Sequence, residues 1–298
     1  MNVLHVCAGW APTNGAAVIA RLLAGEQESR GDAVSLRTWA SVRELRSADE
    51  VWIHCGWLPC LWWAALWAKR TVWVPEGCYD PVRLAYHGWK KRLAGPFERW
   101  ALRRCRRIVA TCEAERGWIR RYLGGRCPPV DVTDIRRFFD LTVPIVRPQA
   151  GRHAEPLHLL YLGRRHPLKG LAYLERAVSE INGRGRRVVE LRMVSNADER
   201  EKERVWEWCD VLCLPTLSDN LGLVVAEALA HGRPVITTDG APAWSSESGP
   251  EGPRVVSLEG YRDGTDEIRV KLLRDAILSF APMVINFNTE TQRHREEY

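Results

Sequence analysis

Short apolar runs alternate with longer amphipathic segments along the first half of the chain. Residues Asn2–Cys7, 51–56 and Thr71–Val74 are largely apolar and predict buried strands. Segments 16–25 and 61–69, which follow two of these runs, have the composition and length expected of helices. This alternation is typical of α/β domains, whose parallel sheets are covered by helices.

The second half of the chain repeats this alternation. Its apolar runs predict strands at Leu157–Leu162, 188–194, 210–215 and Val235–Thr238, with helices at Leu171–Asn182, 197–208 and from about residue 220. Between the halves, residues 124–151 contain several glycines and prolines and have no clear period. We therefore predict two α/β domains, residues 1–149 and 150–298.

The segment 206–244 is the most informative part of the sequence. A buried strand leads into a loop, residues 216–220, whose Ser, Thr, Asp and Asn residues favour a helix start near Asn220 to Gly222. The first amides of such a helix attract a phosphate, and Gly222 would let that ligand approach the backbone. Glu227, about a turn and a half further on, would then reach a ribose, while Asp219 on the loop would meet the group that the phosphate carries.

A second anion site is predicted after the strand Leu157–Leu162. Gly163-Arg164 and Lys169-Gly170 place two cations between glycines in one short loop. Arginine offers a planar fork of donors and lysine a mobile point charge, and together they suit a diphosphate. The loop is not a P-loop, because the spacing differs and no Ser or Thr follows the lysine. The alternative is a basic surface turn without a ligand.

Composition narrows the class of protein. With 298 residues, of which 46% are hydrophobic, the chain can fill the cores of two domains. Nine scattered cysteines without a C-x-x-C pair predict reduced thiols, not a disulfide framework or a zinc site. No secretory signal is evident, and the longest apolar run, residues 55–68, contains a proline and is shorter than the roughly 20 residues of a membrane span. We therefore expect a cytoplasmic protein.

One segment carries most of the positive charge. Residues 83–107, from Arg83 to Arg107, contain nine Lys or Arg and a single acid, Glu98, in a chain of net charge +6. We predict a helix starting at Pro96, with its cations directed to the anionic headgroups of a membrane surface. Its predicted inner face consists of Phe97, Trp100, Ala101, Cys105 and Ile108. The alternative is a basic helix face that only contacts solvent. The modest net charge and the absence of a motif that recognises RNA or DNA argue against a nucleic-acid partner.

The segment 215–243 also carries a family resemblance. Its Pro215, Ser-Asp-Asn-Leu-Gly (218–222), Glu-Ala-Leu-Ala (227–230), Gly-Arg-Pro-Val-Ile-Thr-Thr and Gly-Ala-Pro resemble the donor-nucleotide motif of the retaining family-4 glycosyltransferases. That family usually has two glutamates separated by seven residues, and here Asp219 stands in the place of the first. The resemblance implies the GT-B fold, in which two Rossmann-like parallel-sheet domains face an inter-domain cleft that closes on the donor. The first domain would then bind the acceptor, and the second the nucleotide sugar.

The resemblance also assigns residues to the donor. Gly163, Arg164 and Lys169 match the family's diphosphate loop. Asp219 would bind the donor sugar and Glu227 the ribose. The remaining donor-binding candidates are Asn220, Leu221 and Gly222 near the diphosphate, and Asn14 and Gly15 in the glycine-bearing loop of the first domain.

Two further candidates lie in the first half. Residues 74–81 resemble the acceptor-side loop of lipopolysaccharide, capsule and exopolysaccharide transferases, with Glu76 where the family has His or Arg. Glu76 would orient an acceptor hydroxyl or a basic partner, or only cap a turn. His54 ends a predicted strand, where open α/β sheets bind ligands, although a buried structural histidine is the alternative. With Asp219, these two are the catalytic candidates.

Together these features predict a retaining transferase that moves a sugar from a nucleoside diphosphate sugar to a saccharide, lipid-linked or lipopolysaccharide, at the cytoplasmic membrane face. We expect no metal and no cofactor, because the cations serve the diphosphate. Two alternatives remain: a phosphorylase or hydrolase of the same fold, and a non-catalytic nucleotide-sugar-binding partner of a glycan-assembly complex. By resemblance, residues 266–280 would begin a return of the C-terminal segment to the first domain.

Overall fold

The computed structural model describes residues 1–11, 14–146, 156–183, 188–249 and 252–281. Its contacts divide the chain between Phe138 and Phe139 into two units. The predicted boundary near residue 150 lies outside the described residues, but the division comes earlier than that. Leu141 packs against the core of the second unit, and Ile145 is buried within it, so residues 139–146 belong to the second unit.

The first unit is a parallel sheet of six strands covered by helices. The strands follow the order β2-β1-β3-β4-β5-β6. Its elements are β1 (Asn2–Cys7), α1 (Gly15–Ser29), β2 (Ala33–Arg37), α2 (Val42–Ser47), β3 (Glu50–His54), α3 (Pro59–Trp67), β4 (Thr71–Val74), α4 (Pro81–Ala85), α5 (Gly88–Arg103), β5 (Arg107–Ala110), α6 (Glu113–Leu123) and β6 (Val130–Val132).

The strand order explains both the burial pattern and the location of a ligand site. Every residue of β3 and β4 is buried, as expected for central strands of a parallel sheet, whereas the edge strand β2 is mostly exposed. The chain leaves β1 toward β2 and returns to place β3 on the other side. The carboxyl ends of β1 and β3 therefore form a topological switch point, where open α/β sheets bind ligands.

The second unit has the same architecture with one antiparallel edge strand. Its strands follow the order β11-β12-β10-β9-β7-β8, and only β11 is antiparallel to its neighbour. The switch point of this sheet lies between β7 and β9. The elements are β7 (Leu157–Leu162), α7 (Leu171–Asn182), β8 (Val189–Val194), α8 (Glu199–Trp208), β9 (Val211–Cys213), α9 (Leu223–Ala230), β10 (Val235–Thr238), β11 (Glu247–Gly249), β12 (Gly252–Leu258) and α10 (Asp266–Ser279).

The basic helix α5 differs from its prediction in start and orientation. It begins at Gly88, so Pro96 lies inside it instead of starting it. The predicted inner face is wrong for Phe97 and Trp100, which are 63% and 41% exposed, although Ala101 is buried. The reason lies in Glu98, the segment's only acid, which is fully buried and turns its own side of the helix toward the interior of the unit.

Three donors hold the Glu98 carboxylate inside the first unit. It accepts hydrogen bonds from the backbone N–H of Trp57 at 3.1 Å, from the hydroxyl of Tyr79 at 2.5 Å and from the indole Nε1 of Trp62. A Cβ at Gly56 would lie 2.5 Å from Glu98 Oε1, so a larger residue there would displace the hydrogen-bonded carboxylate. Burial raises the pKa of Glu98, while these hydrogen bonds act in the opposite direction.

The last described helix, α10, packs within the second unit. Its buried residues, Val270, Leu273, Ala276 and Ile277, join the core that also contains β7 and α7. Arg274 reaches Glu180 of α7 with an N–O distance of 3.3 Å. The predicted start of a return segment at residues 266–280 is therefore a packed helix of this unit, and residues 282–298 lie outside the described part.

Candidate functional site

Two loops meet at the switch point of the second sheet. Residues 163–170 follow β7 and contain a 3-10 turn, Pro167–Lys169, and residues 214–222 follow β9. Lys169 Nζ donates a hydrogen bond to Asp219 Oδ2 across the two loops. The two side chains are only 13% and 22% exposed. The structure therefore pairs two predicted site residues that lie 50 positions apart in the sequence.

Backbone hydrogen bonds fix the Asp219 loop on both sides. The N–H of Leu217 donates to the carbonyl of Leu168 at 2.8 Å, within the neighbouring loop. The N–H of Asp219 donates to the carbonyl of Gly240 at 2.8 Å, just after β10. A loop held by both neighbours presents its carboxylate in one position, as a preorganised site requires.

Two glycines allow this close packing. A Cβ at Gly170 would lie 1.9 Å from the carbonyl oxygen of Pro215, and Gly170 also has a φ of +66°. A Cβ at Gly240 would lie 2.2 Å from the carbonyl oxygen of Thr216. Because these contacts involve backbone atoms, neither position accommodates a larger residue without moving the loop.

The predicted helix start is confirmed within one residue, since α9 begins at Leu223. Gly222 precedes it with φ +56° and ψ +60°, a left-handed conformation that favours glycine. Its N–H donates to Asp219 Oδ1 at 3.2 Å, so the Asp219 carboxylate contacts both the helix start and Lys169. Asn220 and Leu221 are buried. Binding of a phosphate at these amides stays a prediction.

The other donor-side candidates surround this pair in sequence. Arg164 is exposed, and its carbonyl accepts a hydrogen bond from the hydroxyl of Tyr161 at 2.8 Å, which fixes the backbone next to Gly163. Glu227 lies on α9 with its side chain 24% exposed, and its Oε2 is 3.7 Å from Lys202 Nζ on α8. Their contacts with diphosphate and ribose stay predictions.

In the first unit, His54 belongs to a buried chain of hydrogen bonds. His54 Nδ1 lies 3.0 Å from Glu76 Oε1, and His54 Nε2 lies 2.9 Å from His5 Nδ1. His5 Nε2 in turn lies 2.8 Å from Gln27 Oε1. The structure therefore joins the two catalytic candidates of this unit and adds two polar residues to them.

The charges along this chain follow from burial. The His54–Glu76 contact has the geometry of an ion pair, yet burial lowers the pKa of His54 to about 3 and raises the pKa of Glu76 well above its usual range. The carboxylate of Glu115 raises the pKa of Glu76 further. Burial likewise lowers the pKa of His5 to about 3. We therefore assign a neutral pair, because charge separation would cost more than the contact returns.

In a neutral chain, the orientation of the Gln27 amide determines the donor at every contact. If Gln27 Oε1 accepts from His5 Nε2–H, then His5 Nδ1 accepts from His54 Nε2–H. His54 Nδ1 then accepts from a protonated Glu76. The second carboxyl oxygen, Glu76 Oε2, is buried and has no hydrogen-bond partner among the described residues. A buried oxygen of this kind is costly unless a ligand or water satisfies it.

The backbone around this chain is strained. Cys55, Trp57 and Glu76 all have positive φ values, of 72°, 67° and 56°. Such conformations cost about 1–3 kcal/mol each for residues other than glycine, and they cluster at functional sites. The Glu115 carboxylate holds this region by accepting from the N–H groups of Gly77 at 2.5 Å and Thr111 at 2.7 Å.

Asn14 and Gly15 lie at the other side of this switch point. Asn14 caps α1, because its Oδ1 accepts from the N–H of Ala16 at 3.3 Å and its Nδ2 donates to the carbonyl of Gly9 at 2.8 Å. Gly15 is the first residue of α1. The side chain of Asn14 thus has a structural use, and its donor contact stays a prediction.

Sequence reasoning missed His5, Gln27 and Glu115. His5 lies in the middle of β1 and Gln27 near the end of α1, and neither belongs to a recognisable motif. The available signal was a polar residue at a position where the pattern requires burial, which is true of both His5 and Glu115. Such residues are expected to have a specific partner.

In the described part of the chain, no three His, Cys, Asp or Glu side chains lie close enough to hold a metal ion. None of the helices described here is both long and apolar enough to span a membrane. All nine cysteines are free thiols.

Two family models match the two units. A glycosyl transferase 4-like domain matches residues 3–135, and a glycosyl transferases group 1 domain matches residues 156–261. Together they match more than half of the chain. No curated protein sequence matches it.

Solved structures with the same fold are similar over the full length. Sucrose-phosphate synthase from Thermosynechococcus elongatus has a TM-score of 0.63 and 13% identity, covering 100% of this chain and 99% of that one. HepE from Anabaena, solved with UDP-glucose, has a TM-score of 0.62 and 12% identity, covering 100% of both chains. WaaG, a glycosyltransferase involved in lipopolysaccharide biosynthesis, has a TM-score of 0.56 and 13% identity, covering 96% and 94%.

Proposed function

Because this chain belongs to the family-4 glycosyltransferases of the GT-B fold, we propose that it transfers a sugar from a nucleoside diphosphate sugar to a saccharide hydroxyl with retention of configuration. The Lys169–Asp219 pair at the switch point of the second sheet is the observation that carries this proposal. A cation and a carboxylate thus meet in the loops where an open α/β sheet binds its ligand, which supports a donor site there. HepE, a structure of the same fold, was solved with UDP-glucose.

The donor would bind by exchanging contacts within this pair. The ammonium group of Lys169 would then donate hydrogen bonds to the diphosphate as well as to Asp219, and Arg164 would add a second cation. Asp219 then accepts from hydroxyls of the donor sugar, and Glu227 accepts from the ribose. When the bond between the anomeric carbon and the phosphate oxygen breaks, the two cations and the amides near Gly222 stabilise the charge left on the diphosphate.

The state of Glu76 bears on the path of the proton. Burial raises the pKa of Glu76 and so favours its protonated form, which cannot act as a general base toward the acceptor. We assign that role to the leaving phosphate, as in same-face attack, where the acceptor hydroxyl gives its proton to the departing oxygen. Glu76 Oε2 instead accepts a hydrogen bond that orients the acceptor, and His54 fixes the carboxyl from behind.

The acceptor in this proposal is a lipid-linked saccharide or lipopolysaccharide at the inner face of the cytoplasmic membrane. The anionic surface would be met by the basic segment 83–107, in which each cation near the surface contributes about 1 kcal/mol. WaaG, which acts in lipopolysaccharide biosynthesis, has the same fold. No metal ion is required, because Arg164 and Lys169 take the place that a divalent cation would have at the diphosphate.

The test is release of nucleoside diphosphate from UDP-, GDP- and ADP-sugars without added metal, in the presence of a lipid-saccharide extract. We expect one donor to be turned over, and Lys169→Ala to lower its rate by at least roughly a hundredfold. The matched control is Lys271→Ala, which removes an exposed lysine from α10 of the same unit, outside the two loops. Equal rates for wild type and Lys169→Ala would contradict the assignment. Donor binding without turnover would instead support a non-catalytic partner.

A further inference from the structure

Two neighbouring depressions on the first unit are not used by the proposed reaction. One is an apolar groove of about 640 Å³ between α3 and α5, whose walls include Trp62, Trp63 and Phe97. The other is a basic depression of about 790 Å³ at the end of α5. Pro96 and Trp100 line both, so the two are continuous. Each has the size of a small-molecule site.

The groove is apolar and open to solvent. Trp39 and Phe97, which line it, are 56% and 63% exposed. Along α5 the exposed apolar surface continues at Leu93 and Trp89, with spacings of three or four residues through Trp100. Spacings of three and four place these side chains on one face of the helix. A contiguous exposed patch of this kind marks an interaction surface.

The basic depression has a complementary composition. None of its lining residues is acidic, and four are arginines: Arg99, Arg103, Arg104 and Arg126. In the part of the chain that the structure describes, no carboxylate forms a salt bridge with these guanidinium groups, whereas the nearby Arg106 and Arg107 pair with Glu50. Arg104 stacks over the ring of Trp100 at 5.2 Å, directly where the two depressions join. The site therefore presents uncompensated cations beside exposed aromatic rings.

The position of this site separates it from the proposed chemistry. The basic depression borders Cys105, two residues before β5, and Pro129, one residue before β6, at the amino ends of these strands. His54 and Glu76 lie at the carboxyl ends of β3 and β4. Because all six strands are parallel, these are opposite edges of the sheet. The ligand of the arginines is therefore not the reacting end of an acceptor.

We propose that these two depressions form a binding site for one anionic phospholipid of the membrane, with its phosphate against the four arginines and an acyl chain in the tryptophan groove. Guanidinium groups suit phosphate because of their fork of donors. Trp and Phe suit the boundary between headgroups and acyl chains, where amphipathic rings collect. This proposal rests on the membrane-face function above and names its lipid contact.

Vesicle sedimentation of the full chain tests the proposal. Three kinds of vesicle are compared: phosphatidylcholine alone, phosphatidylcholine with phosphatidylglycerol, and phosphatidylcholine with an anionic lipid that lacks phosphate. The comparison distinguishes binding to the phosphate group from attraction to negative charge in general. We expect binding to the phosphatidylglycerol vesicles only. Arg103→Glu with Arg104→Glu should lower the partition coefficient by roughly thirtyfold or more, and Phe97→Ser by roughly tenfold.

Matched controls come from surfaces outside the site. Arg200→Glu with Arg204→Glu makes the same change of charge on the exposed side of α8, and Leu36→Ser removes an exposed apolar side chain from β2. We expect these variants to change the partition coefficient by less than about threefold. An equal loss in the α8 variant, or equal binding to both anionic vesicles, would show a diffuse charge effect and overturn the proposal. So would unchanged binding of the α5 variants.

The same preparations separate this proposal from the function it rests on. Each variant is also assayed for stabilisation by the nucleotide sugar that stabilises the wild type. Retained donor stabilisation with lost vesicle binding supports the lipid site. Retained donor stabilisation with vesicle binding unaffected by the α5 changes overturns the lipid site and leaves the transferase intact. Absence of donor stabilisation even in the wild type would contradict the transferase itself, whatever the vesicles show.

Discussion

At the scale of single residues, Gly170 decides whether the two donor-side loops can meet. A side chain there would lie 1.9 Å from the Pro215 carbonyl and would also adopt a left-handed backbone. We expect Gly170→Ala to lower the free energy of unfolding by about 2–4 kcal/mol, measured by urea denaturation. Gly183→Ala is the control at the other end of α7, because it has a φ of +52° but open space around a Cβ.

Only the left-handed strain applies to Gly183→Ala, so we expect a loss of about 1 kcal/mol there. Similar losses for the two variants would mean that the close packing of the loops does not contribute. Gly170→Ala should in addition weaken donor binding more than Gly183→Ala does, since it displaces the loop that carries Asp219.

The buried histidines predict a pH dependence of stability. The pKa of His5 is lowered to about 3 in the folded chain, so the unfolded chain takes up its proton first as pH falls below about 6.5. Stability from this residue is therefore fully present above that pH and is lost at about 1.4 kcal/mol per pH unit below it. Glu76, whose folded pKa is raised, acts in the opposite direction.

Comparison with a variant isolates the histidine contribution. We expect His5→Gln to reduce the slope of unfolding free energy against pH, between pH 6.5 and 5, by about 1.4 kcal/mol per unit. His87→Gln, at an exposed histidine, is the matched control for removing an imidazole. If His5→Gln and wild type have the same slope, His5 is protonated in the folded state and the neutral chain is wrong.

At the scale of secondary-structure elements, Glu98 determines which side of α5 faces the interior of the first unit. Replacing it with alanine removes the acceptor of Trp57 N–H, Trp62 Nε1–H and the Tyr79 hydroxyl. Because unsatisfied buried donors cost about 1–3 kcal/mol each, we expect Glu98→Ala to lower the free energy of unfolding by about 3 kcal/mol. Chemical denaturation measures this loss.

The control for Glu98 is an exposed acid on the next helix. Glu113→Ala removes a carboxylate that pairs with Arg116 at the start of α6, and it should cost less than about 1 kcal/mol. Glu98→Gln keeps one acceptor oxygen and should lie between the two. A loss for Glu98→Ala no larger than that for Glu113→Ala would mean that α5 is held by its apolar contacts alone.

The bounds of some strands and helices follow from the sequence, and those of others do not. Strands β1, β4, β7 and β10 and helix α7 were predicted to the residue, because continuous apolar runs bounded by turn residues leave little choice. The start of α5 was wrong, since a proline is tolerated inside a helix when its surroundings hold the backbone. The elements α2, α4, β6, β11 and β12 were missed, because none of these segments is a continuous apolar run.

For the site, the sequence predicted which residues matter better than which residues meet. Lys169 and Asp219 were each assigned to the donor, but their pairing depends on the strand order that makes β7 and β9 neighbours. The His5–His54 contact likewise depends on the register of β1 with β3, in which Cys7 lies opposite His54. Register and strand order follow from packing of the whole sheet, so local patterns do not specify them.

At the scale of the whole molecule, the chain repeats one design twice with different chemistry. In both sheets, polar residues lie at the switch point, beside the carboxyl ends of the strands. In the second unit that residue pair is ionic and partly exposed, as binding of a charged diphosphate requires. In the first unit it is neutral and buried, which suits positioning of a hydroxyl. This division of charge agrees with a donor in one unit and an acceptor in the other.

The central claim is that Lys169 and Asp219 form a nucleotide-sugar site, and donor-dependent stabilisation tests it most directly. Thermal unfolding is followed with UDP-, GDP-, ADP-, CMP- and TDP-linked sugars, without added metal, for wild type, Lys169→Ala and the control Lys271→Ala. We predict that one donor raises the melting temperature of wild type and Lys271→Ala, and that Lys169→Ala loses most of that rise. A donor that stabilises wild type and Lys169→Ala equally, or the failure of every donor to stabilise the wild type, would contradict the claim.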